Sequence, residues 1–455
     1  MVRANSSTSK DMTNGSIFTQ ILLFSLPLMF GNVFQMLYNT VDSIVVGNFV
    51  STQALAAVGS TTMITNMLVF FFNGFSVGAG VIISRFFGAK ENDRLHKAIE
   101  TAMAATFIFC VVLTIIGVLG VKPMLKFMAT PDDVLADAST YLTIYFLGFS
   151  GLLIYNMGSG ILRAIGDTIR PLYFLILTSV MNIILDLVFV KGLHFGIEGV
   201  AYATIISQFV SAFLILWLLI RTEDNYKLTL KDLRIDPAII KLIIMVGLPA
   251  GIQQVITAFS NVFVQSYVNY FGSACMAGWS SYNKLDSFIM LPMSSMAMAA
   301  TTFVSQNVGA GKVKRAEDGT RTAIFMSLVT TGIIALFLFV FARPAIRLFS
   351  AEEAVIEFGV LFIHTNVFFL MFNCINHTLA ASLRGRGDSQ GPMIIMLSTF
   401  VLLRQIYLFV ITNFVANTPQ LVGFGYPVGW MACCVVEVTY YFIKYKKQAK
   451  PVNAD

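Results

Sequence analysis

Apolar runs long enough to cross a bilayer recur from one end of this 455-residue chain to the other, separated by short polar stretches. A transmembrane helix needs about 20 predominantly apolar residues, so repeated runs of this length leave few folds open. A membrane β-barrel would alternate apolar and polar residues instead, and these runs do not. Charge agrees: 12% of residues are charged and 56% are hydrophobic, against about 25% charged in soluble domains. The expected fold is an all-α polytopic membrane protein.

Twelve segments carry the pattern, at 16–48, 54–83, 97–120, 135–158, 161–190, 195–220, 238–270, 276–306, 320–343, 355–382, 391–416 and 422–443. The first and seventh are longer than a span requires and each has an early Leu-Pro step, Leu26-Pro27 and Leu248-Pro249. Proline there either kinks a helix or marks its entry. The opening "MVRANSSTSKDMTNG" lacks an apolar core before a cleavage site, so a retained first span is expected.

Placing the polar stretches on alternating sides tests this count. One side, including both tails, holds 23 of the 30 Lys and Arg residues; the other holds Lys122, Lys126, Lys191, Arg343 and Arg347. Lys284 and Arg404 fall inside spans. Cytoplasmic loops carry the positive excess, which puts both termini in the cytoplasm of a cell (inner or plasma) membrane protein. The net charge of +6 is thereby explained by topology, and no nucleic-acid partner is expected. The five cysteines show no CxxC spacing and read as small buried side chains.

The chain also repeats. "LRAIGDTIRP" (Leu162–Pro171) returns as "LRGRGDSQGP" (Leu383–Pro392) at an offset of 221, as do Ser84, Gly88, Ala89 and Arg94 in Ser305, Gly309, Ala310 and Arg315. Pro27 and Pro249 are 222 apart. Six is even, so a duplicated six-span unit gives parallel repeats about an axis along the membrane normal. The expected organisation is a six-helix lobe at 1–220, a cytoplasmic linker at 221–237 and a second lobe at 238–455. The Gly-Asp motifs read foremost as connectors between spans.

Ionisable groups inside spans are functional hypotheses by default. The candidates are Asp42, Asp186, Lys284, Asp286, His364, His377, Arg404 and Glu437. Gln35, Asn39 and Asp42 share a helical face by their spacing, as do Asn182 and Asp186. Asn156 and Thr204 add polar groups to the fourth and sixth spans. Shifted by 221, Asn156, Asn182 and Asp186 land on His377, Leu403 and Tyr407, and Asp42 lands on Phe263 or Val264. The second half lacks the acid pair, so the fold itself does not require it. A central charged Asp costs about 2.5–3.5 kcal/mol to insert, and two acids in proximity share protons or hold a cation. Sharing no lobe with the pair, Lys284 and Asp286 are expected to pair locally or to start the eighth span, and Glu437 is a candidate partner for Arg404.

These features together, the two six-span halves, early Leu-Pro steps, "GAK" and "GAG" loops and "LRAIGDTIRP", resemble the multidrug and toxic compound extrusion (MATE) family across essentially the whole chain. The resemblance implies twelve helices in two lobes around a central cavity and export of cationic or amphipathic compounds coupled to inward H⁺ or Na⁺. It is nearer to the bacterial branch with coupling residues in the N-terminal lobe, whose pattern matches Asp42, Asn182 and Asp186, and also Asn156 and Thr204. Na⁺ would sit at Asp42, Asp186 and Asn182. Another branch has acids on helices seven and ten; here Gln253, Gln254, Asn373, Asn376 and His377 stand there. A pliable substrate surface is expected to use Gln35, Asn39, Asn66, Phe70, Gln253, Gln254, Met290 and Met293, although the "MLPMSSMAMAA" and "NMLVFFFN" stretches also suit packing or lipid-facing roles.

No nucleotide-binding GxxxxGK[ST] loop is present, which disfavours ATP-driven transport, and no HExxH or GxSxG motif supports an enzyme. The expectation is a monomeric secondary antiporter with small-molecule substrates and no cofactor beyond the coupling ion. The alternative is a lipid-linked precursor flippase of the same broad superfamily, against which the few intramembrane bases count.

Overall fold

The structure, a computed structural model, describes residues 11–128 and 130–445. The basic residues Arg3, Lys10, Lys446, Lys447 and Lys450 and most of the opening polar stretch lie outside the described residues. Among the described residues the chain is all-α, with twelve helices long and apolar enough to cross a membrane. They are α1 (Ile17–Phe49), α2 (Thr52–Ala89), α3 (Asn92–Phe127), α4 (Asp132–Ala164), α5 (Ile169–Gly192) and α6 (Ile197–Arg221), then α7 (Pro237–Asn269), α8 (Ser273–Gly309), α9 (Val313–Val340), α10 (Glu353–Gly385), α11 (Gln390–Val415) and α12 (Pro419–Tyr445). Both Leu-Pro steps lie inside their helices, so neither proline marks a helix entry.

Contacts divide the described residues into two compact units, 27–247 with Asp11, and 12–26 with 248–445. The division cuts α1 at Pro27 and α7 at Leu248, so each of these helices begins in one unit and ends in the other. In the first unit α4 packs against α2, α3 and α6. The 222–236 stretch belongs to this unit as well: Tyr226 and Leu228 are buried in its core with Ile239, Ile243 and Val246 of α7. Thr101 of α3 fastens it by donating to the Arg234 carbonyl and accepting from the Asp236 N–H. Gly78 and Gly247 let α2 and α7 touch; a Cβ on Gly78 would stand 2.5 Å from the Ile243 carbonyl oxygen. In the second unit α8 packs against α9 and α10. Its core is centred on Trp279, Phe362 and Trp430, and Met12 enters it as the Met12 N–H donates to Gln306 at 2.9 Å.

The repeat is visible in bonding as well as in letters. Ser84 donates across from α2 to the Ala164 carbonyl of α4, and in the second half Thr301, one turn before the position matched to Ser84, bridges α8 to the Ala381 carbonyl of α10 in the same way. In the two Gly-Asp motifs, Gly166 and Gly387 have φ of 89° and 88°, a left-handed conformation glycine adopts without Cβ strain. The Asp167 N–H bonds to the Leu162 carbonyl at 2.9 Å and the Asp388 N–H to the Leu383 carbonyl at 3.0 Å, closing the preceding helix. Asp167 Oδ1 then accepts from the N–H groups of Ile169 and Arg170, opening the next helix. These acids are connectors by geometry.

The offset of 221 that holds from Ser84 to Pro171 ends within the fifth span. Helix α5 starts 221 residues before α11, yet α6 starts 222 residues before α12. Between them α11 winds a π-helical turn at Leu397–Leu403, whereas α5 stays α-helical to Asp186. A π-turn accommodates an extra residue without breaking the helix. Past it the register is 222, so Arg404 and Leu408, rather than Leu403 and Tyr407, stand opposite Asn182 and Asp186 in the repeat.

Candidate functional site

Four helices of the first unit each present two polar side chains four residues apart, hence on one face: Tyr38 and Asp42 on α1, Tyr141 and Tyr145 on α4, Asn182 and Asp186 on α5, Thr204 and Gln208 on α6. These pairs converge. The Asp42 and Asp186 carboxyls stand close enough to act on each other electrostatically. The Tyr38 hydroxyl meets Thr204, the Tyr145 hydroxyl meets Gln208, and Tyr141 lies within the field of both acids. The Tyr141 and Tyr145 rings stack with centroids 6.2 Å apart.

Burial is severe. Asp186 is 0% exposed, Asn182 1% and Thr204 3%. Neither Asp186 oxygen has a protein hydrogen-bond partner, and both polar atoms of Asn182 and Oδ1 of Asp42 are likewise unmet. No Lys, Arg or His among the described residues acts on either acid. A buried polar atom without a partner costs about 1–3 kcal/mol, more when charged, so this arrangement favours a proton or cation that the carboxyl, amide and hydroxyl oxygens can share. Asp186 also ends the α-helical part of α5; from Leu187 to Gly192 the helix is π-wound. Among the described residues no group of three or more His, Cys, Asp or Glu side chains forms a metal site. A cation here would rest on two carboxyls and neutral oxygens, a hard-ligand set suited to Na⁺ more than to a transition metal.

Of the residues singled out from sequence, the structure brings together Asp42, Asn182, Asp186 and Thr204. It does not bring Asn156 to them. Asn156 lies eleven residues beyond Tyr145 on α4, about 16 Å along the helix, where its carbonyl accepts from Ser76 at 3.2 Å. Gln35, Asn39 and Asn66 are exposed and Phe70 is half-buried. Met293 is 1% exposed, and Gln253 is buried, donating to Met396 and accepting from Arg384 at 3.3 Å. Both are packed inside the second unit, whereas Gln254 and Met290 are half-buried. The missed members are Tyr38, Tyr141, Tyr145 and Gln208. Their signal was the four-residue spacing to another polar residue, which tyrosine hides because it counts as hydrophobic.

The remaining ionisable residues sort differently from expectation. Lys284 does not pair with Asp286: its Nζ lies 5.4 Å from the Phe349 ring centre, while Asp286 meets Tyr282. Arg404 does not pair with Glu437. Glu437 is buried beside Cys433 and in the field of Arg384, whereas Arg404 reaches Ser260 and Asn261. His364 bonds to the Phe339 carbonyl at 3.2 Å. All five cysteines are buried and free.

Comparison with known proteins fits this frame. The MatE family model matches residues 27–188 and again 249–410, one match per half at the offset of 222. The chain is 28% identical over 443 residues to the probable multidrug resistance protein YoeA of Bacillus subtilis, covering 95% of both chains. It is 26% identical to the probable multidrug resistance protein NorM of Thermotoga maritima, covering 83% of this chain and 82% of that one. A solved outward-facing structure of a multidrug resistance MATE family transporter of the MOP superfamily has the same fold, with a TM-score of 0.91 at 24% identity over 98% of this chain and 99% of that one. The family's members are transporters and not enzymes, and this chain belongs to the MatE family.

Proposed function

We propose that this protein is a secondary antiporter that exports cationic or amphipathic toxic compounds, driven by inward H⁺ or Na⁺ through Asp42 and Asp186. One observation carries the reading: Asp42 stands beside the fully buried Asp186, and three of their carboxyl oxygens meet no protein donor. Ionisable groups inside a membrane span mark ion and proton pathways by default. The names of relatives, multidrug resistance proteins in Bacillus subtilis and Thermotoga maritima, support the export of small molecules.

In this reading, with both termini cytoplasmic in a plasma-membrane monomer, a proton or Na⁺ enters from outside and neutralises the pair. Asn182, Thr204 and Tyr38 supply oxygens to the cation or hold the proton-bearing form. Asp42 is on α1, the helix divided between the two units at Pro27, so a change in how Asp42 bonds to α5 acts directly on a helix that both units share. That is the route by which occupancy would favour one access state over the other. A pH difference of one unit supplies about 1.36 kcal/mol per proton, and the membrane potential about 2.3 kcal/mol per charge per 100 mV. Together these support concentrative export without ATP. The flippase alternative would place a lipid-linked precursor where this reading places an amphipathic compound.

Efflux of a cationic dye from everted vesicles, energised by a pH gradient or by a Na⁺ gradient, tests the proposal with wild type, Asp42→Asn and Asp186→Asn. Gradient-driven efflux that survives undiminished in both variants overturns the role of the pair. The gradient that drives wild type names the ion.

A further inference from the structure

The repeat register that follows the π-turn of α11 places a second polar cluster in the second unit at the positions of the carboxyl site. Tyr38 corresponds to Ser260, Asn182 to Arg404 and Thr204 to Tyr426. These three residues meet in the structure. Arg404 Nη2 donates to Ser260 Oγ at 2.8 Å and to Asn261 Oδ1 at 2.9 Å, and its guanidinium lies over the Tyr426 ring, 4.6 Å from the centre. The Tyr426 hydroxyl donates to Asn261 Oδ1 at 3.3 Å, and the Gln405 amide donates to Ser260 Oγ at 3.1 Å. Asp42 and Asp186 correspond to the apolar Val264 and Leu408. The architecture is retained and the charge is inverted.

Arg404 is 3% exposed and, among the described residues, meets no carboxylate. Its Nε–H is buried with no acceptor. The acid Asp286 lies beside Tyr282, and its field reaches Tyr426. A buried guanidinium held only by neutral oxygens and a ring is incompletely compensated, because a fixed fork of donors best matches a planar or tetrahedral oxyanion. Two turns further along both α7 and α11 is a cavity of about 350 Å³ lined by Ser266, Tyr267, Tyr270, Thr412, Asn413 and Asn417. Its walls are neutral hydrogen-bonding groups without a single carboxylate to repel an anion.

We propose that Arg404, with Ser260, Asn261 and Tyr426, forms an oxyanion-binding site in the second unit that takes the carboxylate or phosphate end of an amphipathic molecule entering through this polar cavity. The site goes beyond the cation-coupled export reading: the protein would then recognise anionic or zwitterionic amphiphiles at one unit while the other holds the coupling cation. The two readings fail separately, since one rests on Asp42 and Asp186 and the other on Arg404.

Two of the three tryptophans report on this place: the Trp279 and Trp430 rings lie 5.6 and 5.7 Å from that of Tyr426. The experiment titrates the purified full-length protein, in nanodiscs of zwitterionic lipid, with dodecanoate, dodecyl phosphate and dodecyltrimethylammonium while following tryptophan fluorescence. Expected is a saturable change with the two anions and none competing from the cation. A repeat in nanodiscs containing phosphatidylglycerol separates the sources, because occupation by a lipid headgroup weakens dodecanoate binding, while a site for free amphiphiles is indifferent to that lipid. Arg404→Gln should weaken anion binding about tenfold or more, the scale of one lost charge-assisted bond. Should that variant fail to fold, Asn261→Asp replaces it: the new carboxylate pairs with the guanidinium, keeps the fold and expels the anion by the same factor. Absence of a saturable anion response in wild type, or equal anion affinity in wild type and Asn261→Asp, overturns the proposal.

Discussion

The two halves of this protein share helices, connectors and even single hydrogen bonds, and they part company at one level of the bundle. In the first unit, α1, α4, α5 and α6 converge on Asp42 and Asp186 with three tyrosines around them. In the second, the corresponding positions carry Ser260, Arg404 and Tyr426, and the places of the two acids are taken by valine and leucine. A duplicated fold needs the same packing twice, so residues shared between halves report on the scaffold. Residues that differ in charge at matched, buried positions report on something the scaffold does not demand. Here both halves keep a polar site, and each keeps the opposite sign.

The most severe break in this comparison should come from the acids. Asp186→Asn keeps size and hydrogen-bonding capacity while abolishing the charge, and is expected to lower gradient-driven dye efflux at least about tenfold; Asp42→Asn should do the same. Leu408→Asp in an Asp186→Asn background should not restore it, because in the second unit the new acid falls beside Arg404 and pairs with it. Restored transport would mean that either half can house the coupling site.

Packing supplies the next effect. Gly78 and Gly247 have Ala299 and Ser25 as their counterparts in the second unit, both buried. The glycine pair makes the α2–α7 crossing the tighter requirement, as a Cβ on Gly78 would clash with backbone of α7. Gly78→Ala should therefore lower unfolding stability by about 1–3 kcal/mol, whereas Ala299→Gly should cost less than about 1 kcal/mol. Thermal unfolding in detergent reads both, and equal losses would mean the two crossings are equivalent.

A smaller contrast lies in the loops before α3 and α9. The matched residues Lys90 and Gly311 both have left-handed φ, 58° and 72°. Gly311→Ala should cost about 1–2 kcal/mol, and Lys90→Gly should be close to neutral, since relief of strain is offset by a more flexible unfolded chain. The mildest change expected is Thr204→Val, which preserves shape but removes the hydroxyl that meets Tyr38. A loss of about 0.5–1.5 kcal/mol would show as a several-fold drop in apparent affinity for the coupling ion; an unchanged ion dependence would remove Thr204 from the site.

Much of this was legible in the letters. Apolar run length dictates helices in a medium that offers no hydrogen bonds to an open backbone, so the twelve spans follow from hydropathy alone. The repeat follows from matched letters, and Asp42, Asn182 and Asp186 stand out because an uncompensated acid in a greasy segment is expensive. Thr204 was found on the same logic, and so, wrongly placed, was Asn156: its chemistry is right, but its position along α4 is three turns from the acids.

Other features needed coordinates. Tyr38, Tyr141 and Tyr145 read as hydrophobic until their hydroxyls are seen to face one another. The sequence offers Glu437 as a partner for Arg404, because the true partners, Ser260 and Asn261, are more than 140 residues away. Its match to Asn182 was hidden by a π-turn, which hydropathy cannot distinguish from α-helix. Nor could run length show that α1 and α7 each divide between two units at a proline, since that depends on which neighbours the helix faces touch. Local chemistry in a membrane determines that a segment is a helix and which side chains are costly. Which costly side chains meet, and so become a site, is decided by helix rotation, register and crossing, and those are properties of the packed whole.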